Sequence, residues 1–289
     1  MTKHSPAKSF EVSAAPQTVT GPLSELVTAL KFCRSAMSNE ETRYYLKSVC
    51  LQMSDSGLRA VSTDGHRLHH IMVGKPTAKA PLPRGTFLLK RADVLAILKT
   101  YSAKGKQKDK TFSLTFGANS ALFAGANRYT ELEGTFPDWQ RVVPRATLPA
   151  LHWLAEDGHA VASVFAASER GTALKLAGDV AQTSQLKLTR SQLVSLKGSY
   201  AHVEQSSTIE TGVAVSRSFC VGYQAGYIAD ICETFATFGR AHVARGNKHL
   251  GSMLTLSLPD GDSYGPGVWR MFGEAGEDGP FIVIMPMRI

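Results

Sequence analysis

Asp64, His66, His69 and His70 put four potential metal ligands into seven consecutive positions. A hydrolytic metal centre would need these side chains to converge on one ion. Arg67 to Val73 reads as a strand, however, and consecutive strand residues face opposite sides, so His69 and His70 reach a common ion only through a bulge. A metal-dependent hydrolase built on His66 is therefore the weakest reading of the cluster. The sequence contains no G-x-x-x-x-G-K-[ST] phosphate loop. Cys33, Cys50, Cys220 and Cys232 are widely spaced inside apolar patterns, without the C-x-x-C spacing of a zinc or redox site, and read as free buried thiols of a reducing compartment. These residue types predict no catalytic residue, no metal and no cofactor, hence a binding protein rather than an enzyme.

The binding chemistry is concentrated in two short segments. Thr63-Asp64-Gly65-His66-Arg67-Leu68 reads as a strand-turn-strand, and Met285-Pro286-Met287-Arg288-Ile289 as an apolar terminal strand broken by a proline. Adaptable apolar side chains beside a few hydrogen-bond donors suit the two halves of a peptide-docking groove. Taken singly, Leu68, Val142 and Val283 would serve equally well as core residues of any fold.

Length and composition bound the rest. A chain of 289 residues, 43% hydrophobic and 19% charged, suits a globular protein of two domains. The net charge of +8 favours a polyanionic partner such as nucleic acid, provided that the cations share a face. No apolar run approaches the roughly 18 residues of a membrane span, and Met1 to Ser13 lacks the apolar stretch of a secretory signal. A cytoplasmic protein with no membrane attachment is expected.

The positioning elements can be read in outline. A helix follows Pro22, with Leu23, Leu26, Val27, Leu30 and Met37 at helical spacing and Ser24, Thr28, Lys31, Arg34 and Ser38 on the opposite face. Strands are expected over Lys47 to Met53, Leu58 to Ser62 and Arg67 to Val73, and a helix over Arg91 to Tyr101 with Val94, Ile97, Leu98 and Tyr101 inward and Lys90, Arg91 and Lys99 outside. Phe112 to Glu133 reads as a three-stranded meander, and Phe136 to Pro149, with three prolines, as an extended connector. The second half repeats the rhythm with helices near Asp157 to Ala167 and Ala225 to Phe238, and strands over Thr172 to Leu188, Ser252 to Leu258 and Phe281 to Arg288. The fold class is α+β, with two similar domains of two helices packed on antiparallel sheets.

Arg43-Tyr44-Tyr45-Leu46, Ser62-Thr63-Asp64-Gly65-His66-Arg67-Leu68, Phe136-Pro137-Asp138-Trp139-Gln140-Arg141-Val142-Val143-Pro144 and Val283-Ile284-Met285-Pro286-Met287-Arg288-Ile289 occur in that order. Together they closely resemble the bacterial DNA polymerase III β sliding clamp, over roughly Phe10 to Ile289. The resemblance implies a flexible tail at 1–9, a clamp domain at 10–136 equivalent to the family's middle domain, a connector at 137–149, and a clamp domain at 150–289 equivalent to its C-terminal domain. It also implies a peptide pocket of Leu46, Thr63, Gly65, His66, Arg67, Leu68, Pro137, Arg141, Val142, Val283, Met285, Pro286, Met287 and Arg288, with Tyr45, Gln224 and Tyr227 lining an adjoining polar subsite.

A family protomer has three domains, with the Thr-Asp-Gly-His-Arg-Leu motif in the middle one; here 62 residues precede Thr63, so the chain looks like a clamp without the first domain. If six domains still make the ring, three copies are needed, which predicts a head-to-tail homotrimer. Phe112 to Phe116 is the expected edge strand for that contact. Lys31, Arg34, Lys90, Arg91 and Lys99 are the expected contacts to duplex DNA, through phosphates and hence without sequence preference. The implied partners are double-stranded DNA, a polymerase or other protein carrying a clamp-binding peptide, an ATP-driven clamp loader, and further copies of the chain. A decoy that binds such peptides without forming a ring is the alternative.

Overall fold

The computed structural model describes residues 17–54, 56–74, 85–102, 105–107, 109–117, 119–144, 147–154, 173–174, 185–187, 201–208, 216–224, 227, 230–231, 234–235, 253–259, 265–271 and 279–286. The first half opens on β1 (Gln17–Pro22), which runs directly into α1 (Leu23–Cys33). A meander of β2 (Ser48–Ser54), β3 (Gly57–Thr63) and β4 (Arg67–Gly74) follows. Then β5 (Gly85–Lys90) leads into α2 (Arg91–Tyr101), and β6 (Thr111–Phe116), β7 (Ala121–Ala124) and β8 (Asn127–Thr130) form a second meander. The second half contributes β9 (Thr147–Leu154), β10 (Ala173–Leu174), β11 (Gln185–Lys187), β12 (Ala201–Thr208), β13 (Ser216–Gln224), β14 (Met253–Pro259), β15 (Gly267–Met271) and β16 (Phe281–Ile284). Tyr227, Asp230, Ile231, Thr234 and Phe235 are helical and mark one face of a helix within the stretch where one was expected. The helix expected near 157–167 lies outside the described residues.

The helices form where apolar spacing and charge agree. Leu23, Leu26, Val27 and Leu30 of α1 are buried, as are Val94, Ile97, Leu98 and Tyr101 of α2, whose bounds are those expected. Each has a carboxylate in its first turn and a lysine in its last, Glu25 and Lys31 in α1 and Asp93 and Lys99 in α2, which suits the helix dipole. Helix α1 ends at Cys33 and passes into a 3-10 turn, Arg34–Ala36. Ser38, expected on the polar face, is therefore off the helix and buried, its amide donating to the Leu46 carbonyl at 3.0 Å.

Among the described residues three sheets result, in the orders β1-β6-β7-β8, β10-β13-β12 and β11-β9-β14-β15-β16-β4-β3-β2-β5. Their ladders are antiparallel except β11 on β9. The nine-stranded sheet joins the two halves where β16 pairs with β4, in the register Phe281 to His70, Ile282 to His69, Val283 to Leu68 and Ile284 to Arg67. Both faces are covered at this seam. On one side lies the main core, where Leu26, Leu30, Phe87, Leu89 and Ile97 are joined by Ile231, Phe235, Trp269, Ile282 and Ile284 from the second half. On the other lies a smaller cluster of Cys50, Val61, Leu68, Leu88, Trp139, Val268, Phe281 and Val283. Two-sided burial explains why Phe281–Ile284 is a continuous apolar run instead of an alternating one.

The expected free edge at Phe112 to Phe116 is not an edge. Strand β1, which short, mixed Gln17–Pro22 does not announce, pairs with β6 along its length, from Gln17 opposite Phe116 to Pro22 opposite Thr111. Strand β6 is thus enclosed between β1 and β7, and the edges of that sheet are β1 and β8. Strand β5 is likewise not announced by local pattern, and β9 begins at Thr147, inside the proline-rich connector. Strand β16 stops at Ile284, before Met285 and Pro286. Cys33 and Cys50 are free thiols whose burial pushes their pKa up to about 12, as inert core residues.

Candidate peptide-docking groove

The turn between β3 and β4 is built by its own side chains. Thr63 Oγ1 donates to the Arg67 carbonyl at 2.7 Å and accepts from the Gly65 amide at 3.1 Å, while Asp64 Oδ1 accepts from the amides of His66 and Arg67 at 3.0 and 3.1 Å. Gly65 has φ of 93°, and a Cβ there would stand 2.9 Å from Nη1 of Arg43, so glycine serves both the turn and the close approach of Arg43. A Cβ on Gly134 would meet Cβ of Tyr45 at 3.2 Å, which brings the residues just before the connector against the same Arg43-Tyr44-Tyr45-Leu46 segment.

The connector is pinned further along by Trp139. Its ring lies 5.1 Å from that of His70, which in turn stacks on Phe281 at 4.4 Å, and its Nε1 donates to Gln52 Oε1 at 3.0 Å. On the strand bearing His70, Leu68 faces the same way and is paired with Val283 of β16, and both are buried in the cluster that holds Trp139. Beyond β16 the Met285 amide donates to the His66 carbonyl at 2.9 Å. Four segments separated in sequence therefore meet at one end of the seam. Leu68 and Val283 supply a buried apolar base and Leu46 is also buried, while Val142, next to the Val143 that packs on that cluster, and Met285, next after β16, each remain 43% exposed. Pro137, Arg141 and His66 are exposed.

The opposite side of the turn is polar and differently organised. Arg67 is only 9% exposed in its side chain: Nε donates to Asp64 Oδ2 at 3.0 Å, Nη2 donates to the Ser35 carbonyl at 2.5 Å, and Nη1 is bonded to Asp230. Its guanidinium lies 4.6 Å from the centre of the Tyr227 ring, on which His66 also stacks at 6.2 Å. Burial, and then the Asp64 and Asp230 carboxylates, push the Tyr227 hydroxyl above its ordinary pKa, against the opposing pull of Arg67. Gln224 closes β13, three positions before Tyr227. Met287 and Arg288 lie outside the described residues. Trp139, Asp230 and Ser35 are contributors that sequence reasoning missed as site residues. Trp139 belongs to the Phe136–Pro144 motif, but no local pattern points to Asp230 or Ser35.

His69 and His70 face opposite sides of β4, as alternation required. Nδ1 of His69 lies 2.7 Å from the Phe32 carbonyl in the main core, and His70 sits between Trp139 and Phe281 in the smaller one. Among the described residues, no three His, Cys, Asp or Glu side chains are grouped to hold a metal.

Of the expected DNA contacts, Lys31, Arg34 and Lys99 are exposed on or beside the two helices and Lys90 is half-buried. Arg91 is committed elsewhere, its Nη1 donating to the carbonyls of Met37 at 3.0 Å and Ser38 at 3.4 Å. It fastens the start of α2 to the segment after α1.

No family model matches the chain. Against characterised proteins it is 26% identical over 290 residues to the β sliding clamp of Pseudomonas putida, covering 98% of this chain and 70% of that one. It is 29% identical over 230 residues to the β sliding clamp of Caulobacter vibrioides, covering 73% of this chain and 55% of the relative. The chain is thus similar to bacterial β sliding clamps along most of its length. Solved clamps share its fold: that of C. crescentus superposes with a TM-score of 0.63 at 22% identity, over 98% of this chain and 68% of the other. The clamp of Bartonella birtlesii, solved bound to griselimycin, superposes with a TM-score of 0.62 at 20% identity, over 99% of this chain and 68% of the other. Compared with those clamps, the 289-residue chain carries the seam, the turn and the connector on about two thirds of the length.

Proposed function

We propose that this chain is a DNA sliding clamp, a processivity factor that tethers a polymerase or another partner through a peptide held in the groove at the seam. The meeting of four separated segments at that seam carries the reading. A base of Leu68 and Val283 with exposed Val142 and Met285 above it takes an apolar anchor, and the Tyr227 side takes a polar side chain. Griselimycin, bound by the B. birtlesii clamp, is a direct probe. It should bind this chain, and replacing Val142 and Met285 together by alanine should weaken it about 30- to 100-fold, the equivalent of roughly 2–3 kcal/mol of apolar burial. No binding to the parent chain, or equal binding to both forms, would remove the groove.

Each copy contributes two domains, 10–136 and 150–289, so three copies supply six and close head to tail around duplex DNA. The contact uses an open edge, β1 or β8, in place of the enclosed β6. Lys31, Arg34, Lys90 and Lys99 face phosphates without reading bases, and a separate ATP-driven loader opens the ring. The cytoplasm is the compartment of these partners; among the described residues no helix is long and apolar enough to cross a membrane. Light scattering of the purified chain should return about three times its 31.2 kDa. A monomer that binds griselimycin would favour the peptide-binding decoy instead.

A further inference from the structure

We propose that Asp230 is a positioning residue of the groove: it holds the Arg67 guanidinium, and through it the turn from Thr63 to Arg67, in register with the Tyr227 ring. The inference rests on the docking reading above and concerns its polar end only.

Among the described residues three hydrogen-bond partners hold the Arg67 side chain, and they come from three parts of the chain. Asp64 is local, three positions away in the same turn, and would make its contact in an isolated hairpin. The Ser35 carbonyl comes from the 3-10 turn after α1. Asp230 belongs to the second half, 163 residues away, and sits three positions after Tyr227 on the same helical face. Residues three apart on a helix are neighbours on its surface, so a bond from Asp230 to Arg67 also fixes where Tyr227 stands beneath the guanidinium. A planar guanidinium donates to carboxylates in fixed directions, which makes the contact a constraint on orientation as well as an attraction. Arg67 is 9% exposed and Asp230 34%, so water does little to replace the bond once it is lost.

The two ends of the groove depend on different supports. Arg67, His66 and Tyr227 form the polar end. Leu68 and Val283 belong with Trp139 to the cluster on the other face of the sheet, of which neither Arg67 nor Tyr227 is a member. Without Asp230, Arg67 and Tyr227 would have to be ordered each time a peptide binds, and affinity falls by that ordering cost. The apolar anchor would not sense the change.

Two fluorescein-labelled octapeptides test this, each ending in a Leu-Phe anchor and differing only in carrying Gln or Ala at one upstream position. In the parent chain the Gln peptide should bind more tightly. Asp230→Ala should weaken the Gln peptide about tenfold while the Ala peptide stays within twofold, and Asp230→Asn, which keeps an acceptor oxygen, should fall between. Equal loss for both peptides would reduce Asp230 to a structural residue, and no loss for either would overturn the proposal. A parent chain that binds neither peptide would instead overturn the docking reading itself. Unchanged Ala-peptide binding by Asp230→Ala certifies that the variant is folded.

Discussion

Between pH 7 and pH 5 the folded chain is expected to lose on the order of 4 kcal/mol of stability through two adjacent histidines. Burial pushes His69 and His70 from an ordinary 6.5 down to about 3, helped by the nearby charge of Arg67 for His69 and of Arg59 for His70. The unfolded chain therefore takes up protons near pH 6.5, whereas the folded chain holds both rings neutral until about pH 3. Stability is complete above 6.5 and declines as pH falls through that window, by about 1.4 kcal/mol per pH unit for each ring. Against a total of roughly 5–15 kcal/mol for an ordinary domain, this is a large fraction. Denaturant unfolding at a series of pH values measures it directly. His70→Phe keeps a ring between Trp139 and Phe281 and removes one titration, so the slope between pH 6 and pH 4 should halve. An undiminished slope in that variant would mean that the fold does not hold His70 neutral.

Trp139→Ala should cost about 3–5 kcal/mol, the usual range for truncating a buried tryptophan. The ring is packed between the connector and the β4–β16 seam, and its loss also leaves Gln52 Oε1 without its donor. Phe136 and Val143 pack partly against the same cluster, so the connector would lose its central anchor but not every contact. Because Val142 and Arg141 ride on the turn that begins at Trp139, griselimycin binding should fall together with the urea midpoint. Replacing Val142 and Met285, both largely outside the core, should lower binding with little change in the midpoint. Stability within about 1 kcal/mol of the parent after Trp139→Ala would show that the connector is held from elsewhere.

The parts of the site that local chemistry specifies were legible in the sequence. Asp64-Gly65 names a turn because a short acceptor side chain and a left-handed glycine belong there, and α2 was bounded correctly because its apolar spacing starts and stops sharply. The same alternation that separated His69 from His70 put them in two different cores. Strand β1 was not legible, since six mixed residues acquire strand structure only by pairing with β6. That one omission moved the expected free edge from β6 to β1 or β8.

By itself, then, the sequence determined the periodic elements, the turn at 63–68 and the order of four segments that mark the groove, all properties of residues close together in the chain. Tertiary structure alone decided what those segments share. It placed β16 beside β4, made both faces of the seam interior, silenced two histidines and gave Arg67 a second carboxylate from 163 residues away. Such pairings depend on register and burial between distant strands, and a lone aspartate on a helix face looks like any solvated carboxylate until the fold brings a guanidinium to it.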